Sequence, residues 1–139
     1  MPEIGRRNYL SGRKTLMFPA PPLEGFVVVV QHKPDVVRQP EIALGNAGAT
    51  VFAARTAAET IEIMPKYQAH LIVVDLNVAN GVFNEQVVFA AFHRESGRIC
   101  YSESFPDEGL ITWATWLALS EPAGAVVKEA IAWRGRVRV

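Results

Sequence analysis

Asp75 is the residue best placed to do chemistry. It follows Leu71-Ile72-Val73-Val74 directly, so a carboxylate is delivered at the end of a short apolar run. Such a run reads as a strand buried on both faces, and in open α/β sheets ligands and chemistry gather beyond the strands' carboxyl ends. Other polar residues close similar runs: Gln31 and His32 after Phe26-Val30, Ser102 after Ile99-Cys100-Tyr101, and Lys128 after Gly124-Val127. Brought to one edge, Asp75 and Lys128 would form an ion pair that satisfies both charges and fixes the loops carrying them. Ser102 would serve there as a strand-end hydroxyl, and His32 as a hydrogen-bonded or pH-sensitive neighbour of the carboxylate.

Other chemistries lack their residues. Gln31-His32-Lys33-Pro34 has no glycine, so no glycine-rich phosphate loop of the usual nucleotide-binding kind follows the first run. There is no serine-centred nucleophile elbow, and the single cysteine, Cys100, falls within a strand as a buried thiol. His70 and His93 are scattered, without the paired spacing of a zinc site.

The elements that must position these residues alternate along the chain. Strands are expected at Phe26–Val30, Thr50–Ala53, Leu71–Val74, Ile99–Tyr101 and Ala125–Val127. Helices are expected within Asp35–Ala47, starting or kinked near Pro40; over Ala57–Met64, capped by Thr56 with Glu59 three residues on; over Phe83–Phe92; over Leu110–Leu119, carrying Trp113, Trp116 and Leu117; and from Glu129 to Trp133. Strands separated by helices predict a five-stranded parallel sheet in three layers, a flavodoxin-like α/β fold. Residues 26–139 would form this domain. Residues 1–25 carry Arg6, Arg7, Arg13 and Lys14 against Glu3 early on and end in prolines, so they read as an extended or disordered arm.

Composition bounds the rest. The 139 residues carry 14 basic and 14 acidic side chains, so no global field favours nucleic acid. No apolar run is long enough to span a membrane, and the lone cysteine fits a reducing compartment; a cytoplasmic protein is expected.

With these elements placed, the chain from Phe26 to Trp133 resembles the receiver domain of bacterial two-component response regulators. The segments that carry the resemblance are Leu71-Val74 with Asp75 and Asn77, Gly48-Ala49-Thr50-Val51, Ile99-Ser102, and Gly124-Lys128. The resemblance implies a phosphoacceptor role for Asp75, a metal-contacting backbone carbonyl at Asn77, and phosphate-facing roles for Ser102 and Lys128. It also implies two acids after the first strand that help hold Mg²⁺, and here those positions are Gln31 and His32. A hard divalent cation wants several oxygen ligands, and an imidazole is a poor substitute. Lys128 is followed by Glu129 where the family has proline, and Ala125 stands where it often has an aromatic switch.

The resulting expectation is an atypical receiver with no enzymatic activity. It would act through protein–protein contact, with little or no Mg²⁺-dependent phosphorylation and at most weak Mg²⁺ at Asp75. Its partner would be a sensor kinase or another regulator, with a homodimer expected and nucleic acid disfavoured. Trp113, Trp116, Ala125 and Trp133 are the interface candidates. Two alternatives stand beside it: a phosphoryl-accepting single-domain response regulator using Asp75, and a small-molecule-binding or enzymatic flavodoxin-like domain.

Overall fold

The computed structural model describes residues 20–31, 39–74, 81–102, 114–118 and 120–137, with backbone only at 81–84 and 102. The strands are β1 (Val27–Gln31), β2 (Thr50–Ala54), β3 (Leu71–Val74), β4 (Gly97–Ser102) and β5 (Thr115–Ala118). The helices are α1 (Gln39–Asn46), α2 (Ala57–Lys66), α3 (Gly81–His93) and α4 (Ala123–Arg134). All strand pairings are parallel and the order is β2-β1-β3-β4-β5.

Alternation along the strands divides the core into two layers. Val29, Ile72, Val74 and Cys100 face α2 and α3, where Met64, Val87, Val88 and Ala91 meet them. Val28, Val30, Leu71, Val73 and Ile99 face α1 and α4, and pack on Leu44, Val126, Ala130 and Trp133. The central strands β1 and β3 are therefore apolar on both faces, as a sheet covered on both sides requires.

Local signals explain several boundaries. Pro40 sits in the first turn of α1, where a missing N–H costs nothing. The Thr56 hydroxyl accepts from Glu59 N at 3.0 Å, and Glu59 Oε1 accepts from Arg55 N at 2.9 Å, closing the start of α2. Pro65 lies in the last turn of that helix, which ends one residue later. Gly48 has φ of +103°, and a Cβ there would lie 2.5 Å from Pro21 Cβ, so only glycine fits the turn into β2. That contact belongs to residues 20–25, which composition assigned to the arm. Leu23 is fully buried among the α1/α4-side residues, and its N–H donates to Ala47 O at 2.9 Å.

The structure corrects the chain after β4. Residues 115–118, expected to be helical, form β5, and Ala125–Val127, expected to be the fifth strand, lie inside α4. The reason is the spacing of Val126, Ala130 and Trp133. These fall on one face at helical intervals, and all three are buried. Pro122 supplies the helix start and Gly135 its end.

Candidate functional site at the carboxyl edge of the sheet

The strand ends meet in register. Val30 stands opposite Val73, Gln31 opposite Ala54, Val74 opposite Cys100, and Ser102 opposite Ala118. Asp75, Asn77, His32 and Trp113 lie outside the described residues, as does the side chain of Ser102. Asp75 follows β3 in sequence and His32 follows β1, and those two strands are hydrogen-bonded neighbours.

Gln31 is only 6% exposed. Alternation puts it on the same sheet face as Val27 and Val29, toward α2. The Thr60 hydroxyl of that helix, itself fully buried, lies 3.0 Å from Gln31 Oε1 and 2.8 Å from Thr56 O. One hydroxyl proton serves two acceptors, and a carboxamide can meet the hydroxyl either as acceptor or, turned over, as donor. Gln31 thus joins β1 to α2. A carboxylate could only accept there, and burial would penalise its charge.

Lys128 is an exposed residue within α4 and does not follow a strand, so it cannot fill the strand-five lysine position that its neighbours suggested. The chain leaving β5 reads Leu119-Ser120-Glu121-Pro122 and contains no lysine. Ala125 is likewise a residue of the first turn of α4. The aromatic residue of the true β5 is Trp116, half-buried against the α2/α3-side core. Trp133, considered an interface anchor, is 8% exposed and packs into the opposite core layer, its indole N–H donating to Thr115 Oγ1 at 3.2 Å.

Two features of this edge escaped the sequence reading. Thr60 is the partner of Gln31, and no local motif pairs residues so far apart. Tyr101 of β4 donates its hydroxyl to Glu121 O at 2.9 Å, tying β4 to the loop after β5. Burial and then the Glu121 charge raise the Tyr101 phenol above its usual value, so it stays a donor. Pro122, read as a helix start, would have revealed that loop.

The fold is the receiver fold. The signal receiver domain of a Luxo repressor protein from Vibrio parahaemolyticus has a TM-score of 0.67 to this chain at 15% identity, covering 82% of this chain and 92% of that one. A CheY-like receiver domain protein from Methanospirillum hungatei gives 0.65 at 16% identity, over 81% and 95%. A two-component response regulator from Clostridium difficile gives 0.65 at 11% identity, over 80% and 97%. No protein-family model and no curated protein matches the sequence. At such identities the likeness establishes the receiver architecture, and the chemistry of its edge has to be argued from this chain's own residues.

Where the receiver resemblance implies two Mg²⁺-holding acids after the first strand, this chain carries Gln31 and His32. The buried Gln31 carboxamide is hydrogen-bonded to Thr60, and His32 offers nitrogen rather than oxygen. Asp75 is the only acid among the positions Gln31, His32 and Asp75. Among the described residues no helix is long and apolar enough to cross a membrane.

Proposed function

We propose that this chain is an atypical receiver that signals by protein–protein contact, with little or no Mg²⁺-dependent phosphorylation of Asp75. The observation that carries this reading is the buried Gln31 carboxamide at the end of β1, hydrogen-bonded to Thr60 where the receiver resemblance calls for a metal-binding acid. Phosphoryl transfer to an aspartate develops negative charge that a metal ion neutralises. Removing the metal's ligands removes that stabilisation.

The chain after β5 supports the same reading. Where the resemblance calls for a phosphate-holding lysine, the sequence offers Ser120 and Glu121, and an acid repels a phosphoryl group. Asp75 then serves as a structural carboxylate at the edge. The expected partner is a protein, a sensor kinase or another regulator, and the chain acts without catalysing a reaction, as a homodimer in the cytoplasm.

A Mg²⁺ titration followed by amide NMR tests this directly. The amides of Gln31, Val74 and Ser102 are expected to show no saturable shift through the millimolar range. Saturable shifts that vanish in Asp75→Asn would overturn the proposal.

A further inference from the structure

The opposite, amino edge of the sheet gathers cations on aromatic rings. The Arg98 guanidinium at the start of β4 lies 5.1 Å from the centre of the Phe92 ring and 5.0 Å from that of Trp133. Arg136, just past α4, lies 4.6 Å from the Trp133 ring. Trp133 is itself pinned: its indole donates to Thr115, and a Cβ on Gly97 would lie 3.0 Å from its Cδ2, so β4 runs directly against the ring. Arg98 also donates to the Ser96 carbonyl. Arg136 is exposed, and stacking on Trp133 holds its guanidinium plane where an anion can meet it bidentately.

Phe92, His93, Glu95, Arg98, Trp133, Arg136 and Val137 line an open groove of about 530 Å³, in which two guanidinium groups outweigh one carboxylate. The groove also has an apolar wall, since Phe92 is 41% exposed. We propose that this groove binds an acidic segment of a partner protein, one that sets an apolar side chain beside its carboxylates. The charge of the groove argues for the carboxylates, and the phenyl rim for the apolar residue.

Two other occupants fit less well. Glu95 is the one acid of the groove lining and opposes any anion beside it, so a continuous run of phosphates fits less well than carboxylates spaced to meet the arginines. A chain of zero net charge also supplies no wider basic field for nucleic acid. The chain's own amino-terminal stretch carries Arg6, Arg7, Arg13 and Lys14, the same sign as the groove. The inference rests on neither Asp75 nor the carboxyl edge, so it stands or falls separately from the functional reading above.

The test uses the full-length protein, labelled for NMR and titrated with a synthetic peptide alternating glutamate with leucine and phenylalanine. The amides of Gly97, Arg98, Arg136 and Val137 and the Trp133 indole are expected to shift. Arg136→Glu should weaken binding roughly tenfold or more with a native spectrum retained, as should replacing the peptide's glutamates by glutamine. Phe92→Ala, at an exposed position, should weaken it by a smaller factor. Absence of shifts at these sites, equal affinity of the Arg136→Glu variant, tighter binding of an oligothymidylate, or self-association through the groove would each refute the proposal.

Discussion

Replacing Thr60 by valine keeps the β-branched shape and removes only the hydroxyl. Thr56 O loses little, because it still accepts from Thr60 N at 3.0 Å. The Gln31 carboxamide loses its partner at 3.0 Å in a site where it is 6% exposed. Leaving a buried polar group short of a partner costs about 1–3 kcal/mol, and the further interaction that Gln31 makes places the cost toward the lower end. In a Gln31→Leu background the same Thr60→Val change removes no buried partner, so it should cost almost nothing. The double-mutant cycle should then show a coupling of about 1–2 kcal/mol, inside the range of about 0.5–3 expected for residues in direct contact. Urea unfolding measures it: with a slope of about 1–3 kcal/mol/M, Thr60→Val alone should lower the midpoint by roughly 0.5–1 M. Additivity within about 0.5 kcal/mol would mean that the carboxamide is not committed to α2, and the argument that β1 ends in a structural rather than a metal-binding group would fail.

Two further outcomes follow from the amino edge. His70 Nδ1 accepts the Val27 N–H at 2.9 Å while its ring stacks on Phe26, and burial, with the Arg134 charge second, holds its pKa below the ordinary 6.5. The unfolded chain therefore takes up the proton first, so this contribution to stability is present above pH about 6.5 and is lost as the pH falls through the folded pKa; His70→Gln should flatten that part of a stability-against-pH curve, and an unchanged slope would refute the assignment. Gly97→Ala would set a Cβ 2.9 Å from Leu71 Cδ1 and 3.0 Å from Trp133 Cδ2, and should destabilise by about 1–3 kcal/mol in thermal or urea unfolding, whereas a neutral change would show the α4–β4 contact to be looser than drawn.

How far the sequence could be read depended on the length of each signal. The β-branched run before Gln31 and the Leu71–Val74 run are unambiguous, and the Thr56–Glu59 cap marks α2. The order of alternating elements was therefore enough to place the receiver architecture. The fifth strand was misplaced because Thr115-Trp116-Leu117-Ala118 is too short to show a period, while Trp113, Trp116 and Leu117 happen to fall at helical intervals. The error moved with it to the site, turning Lys128 and Ala125 of α4 into strand-end residues. The recurrence of Val126, Ala130 and Trp133 after Pro122 carried the correct answer. Gln31 was recognisable as a substitution at the edge, but its bond to Thr60 is a contact between distant residues that only the fold reveals.

The central claim of the proposed function is that Asp75 does not take up phosphate. Intact mass after incubation with acetyl phosphate and Mg²⁺ tests it most directly. The account predicts an unchanged mass in both the native protein and Asp75→Asn. A stoichiometric phosphoryl adduct on the native protein, missing from the variant, would contradict it.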